Sequence, residues 1–248
     1  MKLYTIGCSF THGHQLEGDP QGGWPRYLAD LLTADLTNHG YSGAGNTYIS
    51  NKPILHGIQD VDLVAVMWSG LTRKDLLIDT FDPTLVNALS RYDYCDPTKT
   101  GLTYVFSGGL LGSWQRNPFL KNIFDPLYRS STNNSMAAET LLNILQLQAY
   151  LKQQGIPYVM SSYMNYWGTQ PQVGDFDFGL AQFHNLHSLI DQIDFDQWVF
   201  LDSDRNGIFE LAQQTPGGLQ PDGVHPTYKV HELWAEIVYE KVKKLNIL

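Results

Sequence analysis

Leu3-Tyr4-Thr5-Ile6-Gly7-Cys8-Ser9-Phe10-Thr11-His12-Gly13 (residues 3–13) decides the reading of this chain. Its first four residues are an apolar, partly β-branched run, which fits a buried strand, and the run stops at a glycine. Ser9 follows on a turn at the carboxyl edge of that strand, where open α/β folds expose reactive groups. Far along the chain, Pro221-Asp222-Gly223-Val224-His225-Pro226 offers a carboxylate and an imidazole three residues apart. A serine hydroxyl needs a base within hydrogen-bond reach, and the base needs a partner that fixes its tautomer. The two ends of the chain are therefore expected to meet in one acyl-transfer site, with Ser9 as nucleophile, His225 as base and Asp222 as its orienting carboxylate.

Between these ends, strand and helix patterns alternate. Residues 25–33 carry apolar side chains at helical spacing after Pro25, and residues 34–38 form a short second strand. A glycine-rich loop, Gly40-Tyr41-Ser42-Gly43-Ala44-Gly45-Asn46, then leads into a helix over 47–55. Residues 61–68 (VDLVAVMW) are almost continuously apolar, as a central parallel strand covered on both faces requires. From 75 to 135 the pattern dissolves; sixty structureless residues do not suit a compact domain, so short helices and a small subdomain or lid are expected there. Regular periods return as a helix over 137–153 closed by Gly155, strands at 156–163 and 198–201, and an amphipathic helix over 228–245. This alternation predicts a single α/β domain spanning 1–248 with a mostly parallel sheet.

Composition narrows the partners. The 248 residues carry a formal charge of −9 and no basic cluster before Lys241-Val242-Lys243-Lys244, which argues against a phosphate backbone as ligand. No apolar run reaches the ~18 residues of a membrane span. Residues 1–7 run straight into structure without a leader pattern, so synthesis in the cytoplasm is expected. Cys8 and Cys95 read as two free thiols in a reducing compartment, with Cys8 a small buried apolar residue.

Three blocks of this sequence resemble the SGNH (GDSL-type) hydrolases. Gly7-Cys8-Ser9-Phe10-Thr11 looks like their first block, which holds the nucleophile, and Tyr41-Ser42-Gly43-Ala44-Gly45-Asn46 like their second, which supplies a glycine N–H to the oxyanion. Asp222-Gly223-Val224-His225-Pro226 matches their last block, with the Asp and His of the triad in order. The resemblance implies a three-layer α/β/α fold with a five-stranded flavodoxin-like sheet in the order 2-1-3-4-5, interrupted by the 75–135 insertion. The family's third block departs here: Trp68-Ser69-Gly70-Leu71-Thr72-Arg73 has no Asn where the family places an oxyanion donor. Losing one such donor costs about 2.7–4 kcal/mol. Asn46, the Ser69 or Thr72 hydroxyl, or Arg73 could replace it; Asn46 is favoured because its glycines bring the loop close to Ser9, and capping the following helix is its alternative role.

Other signals are weaker. Asp202-Ser203-Asp204-Arg205-Asn206-Gly207 matches half of a calcium loop, but Gln213 stands where a bidentate Glu belongs, so it reads as a strand-end turn. His12-Gly13-His14 and His184-x-x-His187 lack the spacing that completes a metal site. Tyr163-Met164-Asn165-Tyr166-Trp167 suits either stacking on a sugar ring or the core. Together the residues point to a serine esterase for a small acyl ester, such as a carbohydrate O-acetyl group. Its oxyanion would be held by the Ser9 and Gly43 N–H groups with Asn46, and neither metal, cofactor nor nucleic-acid partner is expected. The alternative is a weakened module of the same fold that binds glycan or serves in a larger assembly.

Overall fold

The computed structural model describes residues 1–13, 16, 22–58, 60–79, 95–97, 102–109, 112–168 and 179–247. His14 and the 80–94, 98–101 and 110–111 parts of the insertion lie outside them.

Strand β1 (Lys2–Gly7) is followed by the one-turn helix α1 (Ser9–His12), α2 (Trp24–Leu32), β2 (Asp35–Gly40), α3 (Asn46–His56) and β3 (Leu63–Trp68). β3 is buried at all six positions, as its unbroken apolar run requires. The insertion supplies β4 (Asp75–Asp79), β5 (Cys95–Pro97), β6 (Leu102–Phe106) and α4 (Pro118–Ser130). There follow α5 (Asn133–Gln154), β7 (Tyr158–Ser162), the short α6 (His187–Ile190), α7 (Ile208–Gln214) and α8 (Tyr228–Lys244).

The main sheet runs β2-β1-β3-β7, all parallel, with β1 and β3 in register from Leu3↔Leu63 to Ile6↔Val66. Its order is the expected one, but the strand count needs correcting. The segment expected as a fifth strand, 198–201, contributes a single bridge, Met160↔Trp198, with the Val199 N–H donating to Met160 O at 2.7 Å. The Leu201 N–H turns away to Asn206 O (2.8 Å), because the Asp202–Asn206 turn closes immediately and takes the backbone from the sheet. That turn is built by Asp202 itself. Its Oδ1 accepts from the Asp204 N–H and its Oδ2 from the Asn206 side-chain amide, so its oxygens serve the loop.

The insertion is less irregular than its sequence suggests. β4, β6 and β5 pair antiparallel in that order, and β6 carries Val105 into a second small core with Trp114, Leu120 and Phe124 of the α4 region. α5 begins four residues earlier than its apolar period indicates, because Thr132 and Ser135 cap it reciprocally. Thr132 Oγ1 accepts from the Ser135 N–H (3.1 Å), and the Thr132 N–H donates to Ser135 Oγ (2.9 Å). Among the described residues no helix is long and apolar enough to cross a membrane.

One long-range tie fixes the terminal helix against the first half of the chain. The Trp24 N–H at the start of α2 donates to Nδ1 of His231, 207 residues away on α8 and 1% exposed. Burial, with the nearby His225 charge adding to it, lowers the His231 pKa from 6.5 to about 3. The unfolded chain takes up this proton near 6.5 while the native one refuses it until about 3. Stability should therefore decrease as pH drops from about 6.5 towards about 3, by more than about 1 kcal/mol per unit. Urea titrations from pH 7 to pH 4 should show this slope in the wild type and a shallower one in His231→Gln.

Candidate active site

Ser9 owes its position to two close backbone approaches. A Cβ on Gly7 would lie 2.1 Å from Thr11 Oγ1 and 2.8 Å from Met67 O, and one on Gly40 would lie 2.5 Å from the His12 nitrogen. Only glycines at these two strand ends let α1 fold back onto the rim of the sheet. The Thr11 and His12 N–H groups both donate to Cys8 O (2.9 Å), and Gly13 closes the turn at φ 78°. Cys8 is fully buried with a free thiol, as its apolar reading requires.

The His225 loop is equally constrained. Gly223, at φ 72°, donates its N–H to Gln220 O, the Gln220 N–H donates to His225 O (2.8 Å), and Leu219 bridges Pro226. Asp222 Oδ1 accepts the N–H groups of Val224 and His225, each at 2.9 Å, which leaves Oδ2 for the ring. His225 Nδ1 lies 2.5 Å from Asp222 Oδ2, and His225 Nε2 lies 3.0 Å from Ser9 Oγ. The structure thus brings Ser9, His225 and Asp222 into one hydrogen-bonded chain, across 216 residues of sequence. Partial burial works to raise the Asp222 carboxyl, but the His225 ring hydrogen bond, the two N–H donors and the imidazole charge outweigh it. Its pKa ends below the ordinary 3.8. An ionised Asp222 holds the proton of His225 on Nδ1, so Nε2 faces Ser9 as an acceptor.

Phe10 was not singled out from the sequence, although an apolar residue directly after a nucleophile candidate is a usable signal. It is 1% exposed, and its ring stands 5.4 Å from that of His225, 4.8 Å from Tyr163 and 6.5 Å from Phe209. It forms an apolar wall against the imidazole. The aromatic segment after β7 is core: Tyr163, Tyr166 and Trp167 are all buried, and Trp167 meets Trp198 edge-on at 4.9 Å.

The glycine-rich loop lies on the same rim, with the Tyr41 N–H donating to Gly7 O (3.0 Å). The Ala44 N–H returns to Tyr41 O (3.2 Å), placing Gly43 at the third turn position with φ 82°, where glycine is favoured. Among the described residues, no acceptor takes the N–H of Gly43 or of Ser9. Asn46 requires a correction. Its amide nitrogen donates to Ser69 O (3.2 Å) and Thr140 Oγ1 (3.1 Å), while its oxygen accepts the Ser69 N–H (2.8 Å). Both amide hydrogens are engaged, so Asn46 is a brace between α3, α5 and the end of β3 rather than a free oxyanion donor. Nor is it the helix cap, a place taken by Gly45. The Ser69 and Thr72 hydroxyls are buried without a hydrogen-bond partner among the described residues, and Arg73 Nη1 donates to Ala44 O (3.3 Å).

Among the described residues no group of three His, Cys, Asp or Glu side chains could hold a metal. His184 and His187 contact each other edge-on at 5.1 Å, and burial lowers the His12 pKa.

No family model and no curated protein matches the sequence. Solved structures do match the fold. The structure of TesA is 14% identical, with 99% of each chain covered and a TM-score of 0.51. The acetyl xylan esterase AlAXEase is 14% identical, covering 98% of this chain and 100% of its own, at 0.52. A carbohydrate esterase family 2 enzyme with a carbohydrate-binding domain, from Corynascus thermopiles, is 13% identical, covering 99% of this chain and 66% of its own, at 0.50. These likenesses show the fold alone: a three-layer α/β/α architecture, with a mostly parallel sheet between helices.

Proposed function

We propose that this chain is a serine esterase that cleaves small acyl esters. Ser9 Oγ attacks the ester carbonyl carbon while His225 Nε2 takes the hydroxyl proton. The carbonyl oxygen, now negative, is received by the Ser9 and Gly43 N–H groups. Collapse breaks the bond to the alcohol, which leaves with the proton from His225, and the acyl group stays on Ser9. Water then attacks the acyl-enzyme with His225 again as base, releasing the acid and restoring Ser9. Asp222 keeps the imidazole in the required tautomer throughout. The steps use side chains and backbone N–H groups of this chain, and water.

The observation that carries this reading is the 3.0 Å contact between Ser9 Oγ and His225 Nε2, continued at 2.5 Å to Asp222. A carbohydrate O-acetyl group is the substrate class we favour, because two of the fold neighbours are an acetyl xylan esterase and a carbohydrate esterase. Hydrolysis of p-nitrophenyl esters from acetyl to octanoyl tests the reading: turnover is expected on the short esters and should vanish in His225→Ala. No turnover at any length would contradict it. The engaged amide of Asn46, with no Asn in the third block, favours a second reading in which a weakened module binds glycan. That reading requires glycan binding that survives Ser9→Ala in a protein without esterase activity.

A further inference from the structure

The segment that lacks the third-block Asn, residues 69–75, braces the glycine-rich loop at several points. Asn46 is tied to Ser69, Arg73 reaches Ala44 O, and Asp75 makes the strongest tie. Asp75 is the first residue of β4 and 8% exposed. Its Oδ1 accepts the Gly45 N–H and its Oδ2 the Tyr48 N–H, both at 2.8 Å. Gly45 is the N-cap of α3 and Tyr48 its third residue. One carboxylate from a distant strand thus does what a capping box divides between two side chains of the helix itself. The fit needs a glycine: a Cβ on Gly45 would lie 2.8 Å from Asp75 Oδ2 and 2.9 Å from Arg73 O. Burying a carboxylate costs several kcal/mol unless donors compensate, and helix caps are ordinarily made from the surface. This one is buried two residues from Gly43.

We propose that Asp75 is a positioning residue of the esterase: by clamping Gly45 and Tyr48 it sets the Tyr41–Gly45 turn so that the Gly43 N–H is preset for the oxyanion. This rests on the esterase reading above and deepens it. The insertion sheet thereby supplies rigidity where the family's third block supplies a donor.

The same clamp is open to protons. Burial raises the Asp75 pKa to about 7; the two N–H donors and Arg73 pull it down, and Glu139 pushes it up. Glu139 on α5 is itself paired with Lys74, while α3 and β6 present Tyr48 and Tyr104, whose rings meet edge-on. A protonated carboxyl has one oxygen bearing hydrogen, so one of the two N–H groups loses its acceptor. The clamp is therefore complete above about 7 and loosens as pH falls through that value.

The test pairs amide NMR with kinetics on the full chain. In the wild type the Gly45 and Tyr48 amide signals should titrate together near pH 7; in Asp75→Asn this titration should vanish. For p-nitrophenyl acetate, Asp75→Asn should lower kcat by about 10- to 100-fold. KM should stay within about twofold, and the acid limb of kcat should lose the dependence on one proton. Glu139→Gln should leave kcat at high pH unchanged. Flat amide signals from pH 5 to 9 would overturn the proton dependence of the clamp without needing any variant. An active wild type with unaltered kcat in Asp75→Asn would overturn the positioning role alone. A wild type inactive on every ester would overturn the esterase reading, and the positioning role with it, whatever the amides show.

Discussion

Ser9→Ala should lower kcat for short esters by about 10⁴- to 10⁶-fold, the range seen when a triad nucleophile is removed. That corresponds to about 5–8 kcal/mol of transition-state stabilisation. The size follows from the role: without Oγ there is no acyl-enzyme, and the remaining oxyanion donors act only on direct attack by water. The fold should not notice. Ser9 is 4% exposed, its side chain bonds only His225 among the described residues, and alanine fits where serine fits. Thermal and urea unfolding should therefore match the wild type, and a residual rate within tenfold of it would place the chemistry on another residue.

Asp222→Asn should cost nearly as much, about 10⁴-fold in kcat, through the wrong tautomer. The asparagine oxygen can still accept the Val224 and His225 N–H groups that Oδ1 accepts at 2.9 Å, so the loop keeps its shape. The amide nitrogen would then face His225 Nδ1. Two donors cannot share that bond, so the ring proton moves to Nε2, and Nε2 can no longer take the proton of Ser9. KM should change little. Stability carries a second signature. The native pKa of Asp222 lies below the ordinary 3.8, so its pairing adds stability above 3.8 that is lost as pH falls through the lowered native value. The Asn variant lacks this acid-linked loss, which acid titration followed by circular dichroism would show.

Much of this was legible in the residues themselves, and what was not has physical causes. The 3–13 and 61–68 runs gave the two central strands because a parallel strand covered on both faces must be apolar throughout. Ser9, Asp222 and His225 could be paired across the chain because a hydroxyl, an imidazole and a carboxylate are chemically complementary, and because the segments that hold them resemble the first and last blocks of the SGNH hydrolases. The 198–201 strand failed as a strand because a local contest, the Asp202 side chain against the sheet, was decided within the next few residues. The insertion sheet was missed since β4 (Asp-Leu-Leu-Ile-Asp) and β6 (Leu-Thr-Tyr-Val-Phe) are each too short to show a period above their surroundings. Asn46 and Asp75 mark the deeper limit. Which acceptor an amide meets, or which helix a carboxylate caps, depends on partners 23 to 94 residues away.

The central claim is that Ser9 is a nucleophile activated by His225, and a fluorophosphonate probe read by intact mass and peptide mapping addresses it most directly. The account requires one adduct per chain, located on Ser9, absent in Ser9→Ala and slowed by orders of magnitude in His225→Ala. An unlabelled wild type, or an adduct on any other residue, would contradict it.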